Sequence, residues 1–118
     1  MTSDIVVVLC TAPAAAIAPK LGAHDLARAL VTEGLCACVN VLPGVESYYR
    51  WQGAVEHGSE LLLVAKTTLP YVEAMQARLL ALHPYEVPEI LELPVAGGAH
   101  AYLDWLRASV GGASAADA

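Results

Sequence analysis

Two hydrophobic periods alternate along the chain, and the switches between them mark its elements. Residues 4–11, Asp-Ile-Val-Val-Val-Leu-Cys-Thr, form a continuous β-branched run, the pattern of a strand buried on both faces. Ala12 to Gly22 is Ala-rich and holds Pro13 and Pro19, so it predicts a loop with a short helical turn rather than a helix. From 23 to 33 the period lengthens: Ala23, Leu26, Ala27, Leu30 and Val31 share one helical face, and Gly34 is a C′ stop. Leu35 to Trp51 reads as extended, with Val39 and Val41 on one face and a bend or bulge at Pro43-Gly44. Beyond the bend, Val45, Ser47, Tyr49 and Trp51 alternate with Glu46, Tyr48 and Arg50. Gln52-Gly53 predicts a two-residue turn, and Val55 to Thr67 the return strand of a long hairpin.

A second helix is predicted over 69–82, with Thr68 as its cap, Pro70 in its first turn and Val72, Met75, Leu79 and Leu82 along one side. His83-Pro84 ends it. A short strand follows at 89–93, then a helix at 99–109 with Ala99, Tyr102, Leu103 and Leu106 inward. The order β-α-β-β-α-β plus a C-terminal helix predicts an α+β, ferredoxin-like fold in one domain over 1–110, with 111–118 a frayed Gly/Ser/Ala-rich tail.

Composition adds two constraints. The 118 residues are 57% apolar and only 15% charged, against about 45–50% and 25% in an ordinary domain. A chain this apolar is expected to bury a subunit interface. Its six cations are scattered and the net charge is −6, which argues against phosphate-directed nucleic-acid binding. Three cysteines make no disulfide framework and suit a reducing cytoplasm. Ile5 to Pro19 is uncharged, but it is short, Pro13 interrupts it, and Met1-Thr2-Ser3-Asp4 lacks a Lys or Arg; neither a secretory signal nor a membrane span is expected.

Candidate chemistry centres on His83, Glu86 and Glu89, at i, i+3 and i+6 in a segment that Pro84 and Pro88 keep from being helical. In polyproline II geometry they share a face, but each step of three residues advances about 9 Å. Metal–ligand distances are only about 2.0–2.6 Å, so a metal here needs partners from another strand or subunit. The same segment also reads as a turn that packs Tyr85 and satisfies its carboxylates on backbone or on Lys66. Cys36 and Cys38 share a strand face about 6.6–6.8 Å apart, too far for an unstrained disulfide. They are soft ligands or buried small hydrophobes, and Cys10 belongs to the core. Tyr48, Tyr49 and Trp51 line a cleft or pack a subunit interface. Lys66, with Glu60 earlier on its strand, pairs with an acid of 83–89 or holds an anion. His24, His57 and His100 read as surface residues. No nucleophile elbow, phosphate loop or H-E-x-x-H run is present, so no enzyme activity is expected.

Several segments taken together are distinctive: Cys10-Thr11-Ala12-Pro13, Leu35-Cys36-Ala37-Cys38-Val39-Asn40-Val41-Leu42-Pro43-Gly44, Tyr49-Arg50-Trp51-Gln52-Gly53, Lys66-Thr67-Thr68, His83-Pro84-Tyr85-Glu86-Val87-Pro88-Glu89-Ile90 and Tyr102-Leu103-Asp104-Trp105-Leu106. Over about residues 5–109 the chain resembles the CutA1 family of divalent-cation tolerance proteins. The resemblance implies a tight homotrimer wrapped by long hairpins, binding of copper or another divalent cation, no established catalysis, and an assembly like that of the PII signalling proteins. Cys38 matches the family's cysteine. Some extra residues, Pro19 among them, separate Pro13 from the first helix and depart from the family pattern. The expectation is therefore a trimeric, non-enzymatic copper or divalent-cation tolerance protein with no membrane partner. Its expected metal donors are His83, Cys38 and Glu86, and its expected inter-subunit cleft holds Glu60, Lys66, Tyr49, Trp51, Tyr85 and Glu89. The competing expectation is a PII-like module that binds an anionic metabolite through Lys66 and the backbone near 83–89.

Overall fold

In the computed structural model, residues 4–111 are described. The elements are β1 (Ile5–Ala12), α1 (Ala23–Thr32), β2 (Cys38–Trp51), β3 (Ala54–Thr68), α2 (Leu69–Leu82), β4 (Ile90–Pro94) and α3 (His100–Ser109). The strands form one sheet in the order β2-β3-β1-β4, with every neighbouring pair antiparallel. That order and the helix placement make the ferredoxin-like α+β fold expected from the periodicity. The tail expected beyond residue 111 lies outside the described residues.

Backbone chemistry sets the element ends. At the end of α1, Leu35 N–H donates to Leu30 O and Gly34 N–H to Val31 O, both at 3.0 Å, with Gly34 at φ +74°. This is the Schellman arrangement, and Gly34 is the residue that admits it. Gln52 and Gly53 both have positive φ, as a tight hairpin turn requires. The β2–β3 register shifts between Leu42 and Val45, with Gly44 at φ +76°, so the expected bend is a bulge. Thr68 stands at the N-cap of α2 but makes no side-chain cap bond; Leu69 N–H is instead satisfied by Asp4 O at 2.9 Å.

Strand alternation divides the sheet into two faces. Val6, Val8, Cys10, Leu61, Leu63 and Ala65 point toward α1 and α2 and pack with Leu26, Leu30, Met75 and Leu79 in the main core. The opposite face carries Val7, Leu9, Leu62, Val64, Leu91 and Leu93, matched across the ladders. α3 covers this face only at one end, where Leu106 and Val110 pack on Ile5. Leu91 therefore stays 53% exposed and Leu93 45%. Three inward assignments are corrected. Ala99, at the N-cap of α3, is exposed. Val31 lies at the margin of the α1 stripe and is exposed, and Tyr102 turns outward to stack on Trp105, their ring centroids 5.6 Å apart.

The extra loop before α1 runs against the end of α2. Leu21 N–H donates to Leu82 O and Lys20 Nζ to Ala81 O, both at 2.9 Å, while Ala23 N–H closes the loop on Pro13 O at 2.8 Å.

Candidate functional site

His83 ends α2 and is buried, with 1% of its surface exposed. Its Nε2–H donates to Thr11 O at 2.8 Å, and its Nδ1 accepts the Tyr85 N–H at 3.0 Å. These partners define the neutral Nε2–H tautomer. Burial holds its pKa below the ordinary His value, against the opposing pull of the Thr11 carbonyl and the Glu60 charge. Both ring nitrogens are thus occupied within the chain, and neither offers a lone pair to a metal.

Two residues on, Tyr85 lies beside the His83 ring, with centroids 4.7 Å apart. Its hydroxyl is hydrogen-bonded to Glu60, which is 9% exposed at the base of the long hairpin. Burial first, then that hydrogen bond and the Glu60 charge, push the phenol pKa up, so Tyr85 remains a donor at all ordinary pH values. Cys10 is pushed up to about 12, chiefly by burial and then by Glu89 and Glu60.

The hairpin and segment 85–89 enclose a cleft of about 820 Å³. Thr11 and Glu60 lie on its β1–β3 side, consecutive residues 46–51 form one wall, and residues 85–89 form the other. The hairpin meets the cleft along an edge, because neighbours of opposite strand parity both contribute. Four aromatic rings (Tyr48, Tyr49, Trp51, Tyr85) and four carboxylates (Glu46, Glu60, Glu86, Glu89) line it, against the single guanidinium of Arg50. Glu46 is held by Ser59 Oγ at 2.9 Å and by His57 Nε2 at 2.6 Å, and its pKa is lowered by these two bonds. His57 in turn stacks on Tyr48 at 4.4 Å.

The expected cleft residues Glu60, Tyr49, Trp51, Tyr85 and Glu89 do come together here, joined by Glu86. Lys66 does not. Its ammonium donates to Asn40 Oδ1 and lies 3.9 Å from Cys38 Sγ. The expected pairing of Lys66 with an acid of 83–89 is corrected: register places Lys66 opposite Cys38 on the exposed sheet face. The expected single centre of His83, Cys38 and Glu86 is likewise not formed within one chain. His83 is bonded at Thr11, which pairs with Leu62; Cys38 pairs with Lys66, four residues further along β3. Four strand steps span about 13 Å. Among the described residues no three His, Cys, Asp or Glu side chains converge as a metal shell. Glu46, Arg50 and Thr11 are cleft residues that the sequence reading did not single out; the alternation of Glu46, Tyr48 and Arg50 on the hairpin was the available signal.

Residues 6–109 match the family model described as CutA1 divalent ion tolerance protein. The chain belongs to the CutA1 family. A divalent-cation tolerance protein CutA of Thermus thermophilus is 50% identical over 105 residues, covering 89% of this chain and 97% of the relative. Among solved structures, the PII-like protein CutA of Nostoc sp. PCC 7120, in apo form, superposes with a TM-score of 0.78 at 31% identity, covering 89% of this chain and 96% of that one. The periplasmic divalent cation tolerance protein CutA of Archaeoglobus fulgidus gives 0.80 at 28% identity, covering 90% and 98%. Membership thus agrees with the resemblance read from the motifs. Against the competing expectation stands the charge of the cleft itself: an anionic metabolite would meet four carboxylates, with Lys66 engaged elsewhere.

Proposed function

We propose that this CutA1 chain is a non-enzymatic cation-binding protein of the cytoplasm that works as a homotrimer and takes a divalent cation, copper foremost, as its cargo. The concentration of carboxylates in the hairpin cleft carries this reading. The described residues of a single chain gather no complete shell, which supports donors supplied by more than one copy. The exposed apolar sheet face, with Leu91 and Leu93 at its edge strand, supports a face-to-face assembly. Three free cysteines support a reducing compartment, and among the described residues no helix is long and apolar enough to cross a membrane.

In this reading Glu60, Glu86 and Glu89 are the oxygen donors. Cys38 is a separate soft donor on the exposed sheet face. His83 is a positioning residue that holds Thr11 and segment 83–85. Copper(II) is the divalent ion that binds such donor sets most tightly among the first-row metals.

Equilibrium dialysis of the reduced protein against Cu²⁺ tests the reading. Wild-type protein is expected to retain copper in proportion to chain, Glu86→Gln with Glu89→Gln to lose most of it, and His83→Gln to keep it. Copper no tighter than that of an unrelated acidic protein would overturn the metal reading. Loss in His83→Gln alone, with the fold intact by circular dichroism, would return the ligand role to His83.

A further inference from the structure

We propose that His83 is a proton switch: a proton taken up at Nδ1 unpairs the Tyr85 N–H and releases segment 85–89 from the end of α2. Where that segment holds a divalent cation through Glu86 and Glu89, its release lets the cation go; this second half rests on the cation reading above.

Imidazole chemistry sets the switch. In the neutral ring Nε2–H donates to Thr11 O at 2.8 Å and Nδ1 accepts the Tyr85 N–H at 3.0 Å. One nitrogen donates and the other accepts, and the fold uses both roles. A second proton turns Nδ1 into a donor. Two N–H groups then face each other between His83 and Tyr85. The Thr11 bond survives, because Nε2–H still donates. Protonation therefore cuts only the side of the ring that carries the segment. Both bonds lie within one chain and His83 is 1% exposed, so the switch needs no open surface of an unassembled chain.

Little else holds the segment. Pro84 and Pro88 carry no N–H, and among the described residues the N–H groups of Glu86 and Val87 make no backbone hydrogen bond. The Tyr85 side chain adds a hydrogen bond from its hydroxyl to Glu60 and a contact with the His83 ring, centroids 4.7 Å apart. Without the Tyr85 N–H bond, the segment is tied by that hydroxyl and by the start of β4.

The charges around the ring set where the switch acts. Burial opposes the imidazolium most, the Thr11 carbonyl of β1 and Glu60 of β3 favour it, and the Lys20 ammonium opposes it. Lys20 is fixed on Ala81 O at 2.9 Å by the extra loop. Glu86 and Glu89 are the acids of the segment itself, while the Cys10 thiol and the Tyr85 phenol stay protonated and neutral. The switch therefore acts below the ordinary His value of about 6.5.

Hydrogen-exchange NMR on the full reduced chain, metal-free in chelator, tests the switch from about pH 7.5 down to about pH 4.5. The His83 ring nitrogens report the proton. The Tyr85 amide, corrected for the intrinsic pH dependence of exchange, reports the bond. Tyr85 protection is expected to fall about fivefold or more as the ring titrates, the loss of one hydrogen bond. The Ala37 amide, bonded to Lys66 O at 2.9 Å, is expected to keep its protection. In His83→Gln the Tyr85 amide is expected to lose this extra pH dependence. Lys20→Met, which leaves the ring and its partners in place, is expected to move the ring and Tyr85 midpoints together to higher pH. A ring that stays neutral down to about pH 4.5 overturns the proposal. So does a ring that titrates with Tyr85 protection unchanged, or a Lys20→Met shift of one midpoint without the other. Dialysis against Cu²⁺ at both pH limits tests the second half. Wild type is expected to lose a larger share of its copper on acidification than His83→Gln. Equal losses overturn cargo release and leave the switch standing. Copper retained by neither protein at about pH 7.5 removes the cation reading itself, and the Tyr85 amide still decides the switch.

Discussion

The His83 ring donates through Nε2–H to the Thr11 carbonyl at 2.8 Å, a bond between residues 72 positions apart. It ties the end of α2 to the end of β1. The same ring accepts the Tyr85 N–H, so one side chain holds both the strand and the segment that forms a wall of the cleft. His83→Leu leaves a buried carbonyl and a backbone N–H unpaired. The expected cost is about 1–3 kcal/mol for each group that water cannot reach. Urea denaturation of the variant against wild type measures it, with a lower midpoint and an unchanged slope expected.

His83 also gives stability a pH dependence of defined sign. Burial lowers its folded-state pKa, so the unfolded chain binds the proton more readily. Stability from this residue is complete above the unfolded value of about 6.5 and declines as pH falls through it toward the lowered folded value. Urea midpoints at about pH 7.5 and about pH 5.5 should therefore differ more in wild type than in His83→Gln. Equal differences in the two proteins would show that other groups carry the dependence.

Thiol chemistry should separate the three cysteines. Burial pushes Cys10 and Cys36 up to about 12, leaving both protonated and covered. Cys38 is half-buried on the exposed sheet face, beside the Lys66 ammonium. In a folded single chain, Ellman's reagent should modify Cys38 first and the other two only on unfolding. In a trimer joined through that face, Cys38 should slow as well.

The apolar face itself can be tested directly. Leu91→Arg places a charge on the edge strand of the apolar face shared with Leu9, Val64 and Leu93. Light scattering after gel filtration should give the mass of three chains for wild type and a smaller species for the variant. The same variant should restore fast modification of Cys38. A wild-type monomer would refute the trimer.

Gly22 is the N-cap of α1 and seals the extra loop. A Cβ at this position would lie 2.9 Å from Ala15 Cα and closer still to the Ala14 carbonyl, both backbone atoms that cannot swing aside. Gly22→Ala should destabilise the protein by about 1–3 kcal/mol, read as a lower thermal midpoint. Gly97→Ala meets no atom within 4 Å and serves as the control.

The elements were legible because their signals are local. The β-branched run of Ile5–Ala12, the stripe through Leu26 and Leu30, the Pro43-Gly44 bulge and the Gln52-Gly53 turn each follow from side-chain period or from permitted φ over a few residues. The spacing within 83–89 singled out Glu86 and Glu89, the hairpin alternation the cleft aromatics, and the strand of Lys66 the residue Glu60. Local reading failed where a side chain sits near an edge. Val31 and Tyr102 fit an apolar stripe, and what decides their exposure is how far the neighbouring sheet extends.

The sequence by itself determined the order of elements, the α+β class, an excess of apolar surface and the acidic, aromatic character of two separate segments. Only the tertiary structure decided who meets whom. It brought the hairpin wall against residues 85–89, spent both nitrogens of His83 on backbone partners, and turned Lys66 toward Asn40 and Cys38. The reason is physical. Period and backbone freedom act over a few residues, whereas a side chain's partner follows from strand register and helix docking, which join residues tens of positions apart.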